Sequence, residues 1–220
     1  MKRITILIMA SLILLLAVSC GSSESGPNEL VHDPGELITD WNAALLLLEE
    51  GNRRYVTDSG MERDTNAEDR DVLSSGQQPF AVIVTCSDSR VPPEIYFDQK
   101  LGDIFVIRNA GNIADRTALG SIEYAAEHLH APLVVVVGHS QCGAVGGALS
   151  GGEFSENLQT IIDEISPNIA PGSNLQDAIR ANIESMSERI KQNEIIKKMG
   201  TTVIGAHYNI TTGQVEFIRP

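Results

Sequence analysis

Three short stretches, residues 80–85, 104–107 and 133–137, are apolar runs rich in β-branched residues, with no alternation of polar and apolar positions. A strand with one face in water alternates, whereas a strand covered on both faces does not. The three runs therefore predict buried strands of a sheet with helices on both sides. Between the second and third lies a helical spacing of apolar residues, Leu119, Ile122, Ala125, Ala126 and Leu129. Strand, helix and strand in that order predict an α/β fold with a central, mostly parallel β-sheet and crossover helices. Further helices are expected at residues 36–51, closed by Gly51 and forming an N-terminal helical arm, near residues 67–73, and as one long helix at residues 174–199. Residues 143–152 are rich in Gly and Ala, and residues 201–208 and 214–218 read as a final strand pair around Thr212 and Gly213. There is no internal repeat and no second composition regime, so residues 36–220 are read as a single domain.

The chain begins differently. Lys2 and Arg3 precede an apolar run from residue 4 to residue 17, followed by small residues and Cys20. This is the layout of a secretory signal, residues 1–19, and its apolar core is shorter than the ~20 residues of a permanent membrane span. The ending Leu16-Ala17-Val18-Ser19-Cys20 resembles the lipobox of bacterial lipoproteins, with Ala17 where leucine is usual. That resemblance implies cleavage before Cys20 and lipidation of Cys20. The protein would then be exported, held on the outer face of the cytoplasmic membrane or on the outer membrane by its lipid alone. The Gly- and Ser-rich stretch that follows, within residues 20–35, is expected to be a flexible tether. Acidic residues outnumber basic ones 29 to 16. Such a balance argues against a nucleic-acid partner and against adhesion of the folded surface to anionic lipid.

The other two cysteines end or follow predicted strands. Cys86 opens Cys86-Ser87-Asp88-Ser89-Arg90, and Cys142 closes His139-Ser140-Gln141-Cys142. In open parallel sheets ligands collect at the carboxyl ends of the strands. Two cysteines and a histidine brought there match a ligand set used by catalytic zinc, with a fourth position open. A disulfide, or two buried apolar thiols, are the alternatives for the cysteines taken alone. Neither accounts for His139 or for the acid and base behind Cys86.

Cys86-x-Asp88-x-Arg90 with His139-x-x-Cys142 resembles the two-part zinc signature of beta-class carbonic anhydrases. Gly76-Gln77-x-Pro79, the run from Phe105 to Asn109, Ile122-Glu123-Tyr124-Ala125 and Gly138-His139-Ser140-x-Cys142-Gly143 match in order and spacing. The resemblance implies that Cys86, His139 and Cys142 bind one Zn²⁺ per subunit. It implies reversible hydration of carbon dioxide to bicarbonate and a proton, by attack of a zinc-activated hydroxide. It implies that Asp88 and Arg90 form a catalytic dyad, and that Gln77, Phe105, Tyr124 and Gly143 line the substrate pocket. Gln77, Phe105 and Tyr124 are then expected from the partner subunit of a homodimer or dimer of dimers. Ile83 stands where some members carry the tryptophan of an inhibitory bicarbonate pocket, so the plant-like, open-site subtype is expected, with Asp88 off the metal. Arg108 is present without evident partners, and no proton shuttle is assigned among His32, His128, His130 and His207. Hydrolysis of carbon disulfide or carbonyl sulfide at the same site, and a non-catalytic zinc-binding lipoprotein, are the competing readings.

Overall fold

The computed structural model describes His32, residues 36–61 and residues 67–219. The signal sequence, Cys20 and most of the tether lie outside the described residues. No helix among the described residues is long and apolar enough to cross a membrane.

Helix α1 (Trp41–Val56) is followed by α2 (Ala67–Leu73), strand β1 (Ala81–Cys86), the single turn α3 (Pro93–Tyr96) and strand β2 (Ile104–Asn109). A 3₁₀ turn (Ala110–Asn112), α4 (Arg116–His128), β3 (Leu133–His139), α5 (Gly143–Ser150) and α6 (Glu156–Ile165) come next. A second 3₁₀ turn (Ser166–Asn168), α7 (Leu175–Gln192), α8 (Glu194–Met199), β4 (Thr202–Tyr208) and β5 (Val215–Ile218) complete the chain.

The five strands form one sheet in the order β2-β1-β3-β4-β5. The first four are parallel, and β5 returns antiparallel to β4. This is the α/β architecture read from the apolar runs. β1 and β3 are buried along their whole length. β2 is not, and here the expectation of a fully buried run fails. As the edge strand it has a single hydrogen-bonded neighbour, and residues Ile104 to Ile107 remain partly exposed.

The expected helix at residues 36–51 starts and ends later. Asp40 supplies the N-cap, its side chain accepting from the Asn42 N–H at 3.1 Å. Gly51 lies inside α1 because the helix crosses the α3 segment closely. A Cβ there would stand 1.8 Å from the Phe97 carbonyl oxygen. Gly51→Ala is therefore expected to destabilise the fold by about 1–3 kcal/mol despite its better helix propensity, read as a fall in melting temperature. One residue later, buried Asn52 donates to the carbonyls of Tyr96 and Gly213, each at 2.8 Å, and accepts from the Val215 N–H at 2.9 Å. α1 thus carries the polar clamp that holds the β5 hairpin.

The expected long helix at residues 174–199 is two helices. Asn193 leaves the helical conformation with ψ 133, and its side chain caps α8 by accepting from the N–H groups of Ile195 and Ile196. α6 has no counterpart in the sequence reading, although Leu158, Ile161, Ile162 and Ile165 give it an apolar stripe.

Candidate metal centre

Parallel register decides which residues meet at the carboxyl edge of the sheet. Thr85 lies opposite Val137, so Cys86 at the end of β1 and His139 at the end of β3 come out side by side. The chain then turns at once. Gln141 takes a left-handed conformation with φ 58, which swings Cys142 back beneath β1 as the N-cap of α5. The result is a cluster of three donors, Cys86 Sγ, a ring nitrogen of His139 and Cys142 Sγ, all within 4.8 Å of one another and all on buried residues. A tetrahedral zinc site with bonds of ~2.0–2.3 Å has donor–donor edges of roughly 3.3–3.8 Å. Neither thiol is in a disulfide.

The surroundings of each donor fit a cation. His139 Nδ1 lies 2.9 Å from the Ser140 carbonyl oxygen, which accepts the ring N–H and leaves Nε2 with its lone pair free. That Nε2 is buried and has no hydrogen-bond partner. A buried, unpaired acceptor aimed at two thiols is costly unless something electropositive sits between them. Cys86 Sγ accepts the Gly111 N–H at 3.4 Å. The N–H groups of Ala144 and Val145 at the start of α5 serve Cys142. The two thiols titrate apart because they share one contact. Contact with Cys142, helped by the neighbouring His139 ring and the Gly111 N–H and against the cost of burial, lowers Cys86 well below the ordinary thiol range. The same contact, reinforced by burial, pushes Cys142 up. Read together, these directions mean that the pair readily gives up one proton and holds the second, which a dication would displace.

Beyond Cys86 the chain forms a tight loop that presents the acid and base. Asp88 Oδ1 accepts from the Arg90 backbone N–H at 3.0 Å and from Arg90 Nε at 2.9 Å, and Oδ2 accepts from the other guanidinium nitrogen at 2.7 Å. This fork holds the Asp88 carboxyl well below the usual carboxylate range. Asp88 Oδ2 is 4.0 Å from His139 Nε2, so the carboxylate flanks the donor set. The loop is itself held by a residue whose role the sequence did not disclose. Arg108 on β2 donates to the Cys86 carbonyl at 3.1 Å and to the Asp88 carbonyl at 2.7 Å. Asn182 of α7, fully buried, donates to the Gly111 carbonyl at 2.9 Å and fixes the turn whose N–H serves Cys86. Strand periodicity says which residues are buried but not which carbonyls lie across the sheet, so neither partner was legible.

The residues read as substrate-binding divide into two groups. Gly143 begins α5 beside Cys142, with nothing within 4 Å of where a side chain would project. Gln77 is exposed in the loop before β1. Phe105 pairs in register with Val82, four residues before Cys86, about 13 Å down the strand. Its ring lies 6.2 Å from that of Tyr124 on α4, which is 48% exposed. Within one chain these three do not converge on the donors. A surface cavity of about 490 Å³ lies elsewhere, between α1 and β5 around Asn52 and Phe217. It holds no metal-ligating set, and donor chemistry rather than cavity size identifies the centre.

The carbonic anhydrase family profile matches residues 81–215, which contain every one of these donors. A carbonic anhydrase from Mycolicibacterium smegmatis is 37% identical over 188 residues, covering 79% of this chain and 91% of its own. Among solved structures, a Coccomyxa beta-carbonic anhydrase in complex with acetazolamide is 26% identical with a TM-score of 0.62, covering 82% of this chain and 87% of its own. One of two tetrameric beta-carbonic anhydrases from Sordaria macrospora is 29% identical with a TM-score of 0.59, covering 67% of this chain and 84% of its own. Extended sequence likeness, a shared sheet and the Cys-His-Cys cluster agree, and the chain belongs to the carbonic anhydrase family, in its beta class.

Proposed function

We propose that this protein catalyses the reversible hydration of carbon dioxide to bicarbonate and a proton at a Zn²⁺ ion held by Cys86, His139 and Cys142. The observation that carries the reading is the unpaired, buried Nε2 of His139 facing two thiols, with the Asp88–Arg90 fork beside it. Bound zinc supplies a nucleophile from water near neutral pH. The chain's own residues do the rest. Three protein donors leave the fourth position of a tetrahedral site for water or substrate, and Gly143, next to Cys142, has no side chain to crowd it. The Asp88 carboxylate accepts a hydrogen bond from the attacking water and aims its lone pair at carbon. Arg90 occupies both Asp88 oxygens, which keeps Asp88 from closing the site as a fourth ligand and supports the plant-like, open-site reading.

Gln77, Phe105 and Tyr124 are assigned to the substrate pocket of a second copy, in a homodimer or dimer of dimers. Their distance from their own chain's donors and the partly exposed β2 edge support that assignment. Export through residues 1–19 and anchoring by lipid on Cys20, at the outer face of the cytoplasmic membrane or at the outer membrane, rest on the sequence alone.

The test is zinc content together with stopped-flow CO₂ hydration at pH 8 on the purified mature chain, with carbon disulfide and carbonyl sulfide assayed in parallel. Full zinc with no acceleration of CO₂ hydration would overturn the reading in favour of a zinc-binding lipoprotein. Faster turnover of either sulfur gas would move the substrate and leave the site.

A further inference from the structure

His32 lies in the stretch expected to be a free tether, yet its ring is buried against the folded domain, with 4% of the residue exposed. Nδ1 is 2.8 Å from Asp103 Oδ1, and Nε2 is 2.9 Å from the Glu36 carbonyl oxygen. The ring meets Phe80 edge-on, with centroids 5.2 Å apart. Asp103 is equally buried, at 2% exposure, and its other oxygen accepts from the Lys100 N–H at 2.7 Å. The Asp103 carbonyl accepts from the Phe80 N–H at 2.9 Å, which ties the receiving side to the start of β1.

The two atoms facing the ring are both acceptors. A neutral imidazole carries one N–H, so it satisfies one of them and turns a lone pair on the other. Only the imidazolium donates at both ends. The partner at Nε2 is a backbone carbonyl, which has no proton to offer in any state.

We propose that His32 and Asp103 form a proton-operated clasp that fastens the N-terminal segment to the amino-terminal edge of the sheet, shut while both ring nitrogens carry hydrogen and released when one is lost. The groups facing the ring are few. Asp103 comes from the connection into β2, and Glu36 contributes its carbonyl and the field of its carboxylate. Phe80 adds no charge, and Lys100 enters through its backbone. Burial by itself would lower the pKa of His32, but the bonds to Asp103 and Glu36 outweigh it, and the net shift is upward. The sign follows. The raised folded-state value makes the clasp's contribution full below the ordinary histidine range near ~6.5, and it fades as pH rises through the higher folded value. The clasp sits at the opposite end of β1 from Cys86, roughly 17 Å away, so its opening is separable from metal retention.

The test uses the mature chain from Cys20 with zinc bound. Nitrogen-detected NMR titration of the His32 ring is expected to show two N–H groups at pH 6.5 and a midpoint above 6.5. His32→Gln is expected to melt about 4 °C below wild type at pH 6, with the gap closing by pH 9 and zinc content unchanged. A midpoint at or below 6.5, or a melting gap of equal size at pH 6 and pH 9, would overturn the clasp. Loss of zinc in His32→Gln would overturn its independence of the metal centre. The NMR titration needs no variant, so it decides the matter even if His32→Gln folds poorly.

Discussion

Cys142→Ser is expected to lose zinc and, with it, nearly all CO₂ hydration. Cys142 is 1% exposed and sits between Cys86 and the first N–H groups of α5. A serine oxygen keeps the shape but stays protonated at any working pH, so it offers a +2 ion a neutral, harder donor. Removing even an outer partner of a metal ligand typically costs ~10–100-fold in metal affinity or activity, and loss of a direct ligand is expected to exceed that. Metal analysis after dialysis and stopped-flow rates measure the two losses. Retention of zinc at wild-type stoichiometry with a near wild-type rate would remove Cys142 from the donor set. The fold is expected to survive, because β3 and α5 are held by the sheet register and by the Gly146 N–H to Cys142 carbonyl bond, none of which uses the sulfur.

Asp88→Asn separates the second role from the first. Zinc content should be unchanged, since Asp88 is paired with Arg90 rather than directed at the donors. The rate should fall by about 10²–10⁴-fold, the span usual for a positioned proton-accepting group. An amide keeps one acceptor oxygen but turns an NH₂ toward the guanidinium, so it can neither hold the fork nor orient water as the carboxylate does. Stability should change by less than about 1 kcal/mol, because Arg90 is well exposed and such pairs contribute little. The pH profile adds a check. The Arg90 fork depresses the Asp88 pKa, so the carboxylate's contribution is present above the ordinary value near ~3.9 and lost only as pH falls through the depressed one. Titration of Asp88 therefore does not produce an acid limb of activity above pH 4. A fully active Asp88→Asn protein would end the dyad assignment.

What the sequence disclosed and what it withheld follow a physical division. β1 and β3 were legible because a strand buried on both faces must be apolar throughout. The donors and the acid–base pair were legible because each half of the site is a tight local loop, within five residues at Cys86 and four at His139. The exposed side of β2 was not, because being an edge depends on strand order, which is a property of the whole sheet. Gly51 looked like a helix stop because glycine usually is one, and only the approach of the Phe97 carbonyl reveals why it lies inside α1. The break at Asn193 hides in a stripe that continues across it, since capping by Asn193 depends on one ψ angle. Arg108 and Asn182 act on partners at least 20 residues away, and His32 reaches 71 residues to Asp103. Their roles exist only once the chain has closed.

The strand order also governs the way the chain can assemble. β1 pairs directly with β3, although β2 and α4 separate them in sequence, and β3 pairs with β4 only after four more helices, α5 to α8, have been made. Each of these parallel pairings pays loop-closure entropy before it gains a ladder, which raises contact order and slows the search. The zinc donors all lie in the earlier part of that route, and Cys86 meets His139 once β1 and β3 zip together. Metal capture thus becomes available at the half-built sheet, before β4 and β5 cover its far side. An ion bound at that moment would act as a kinetic pin on the β1–β3 pairing, holding its carboxyl end together while the rest of the sheet forms.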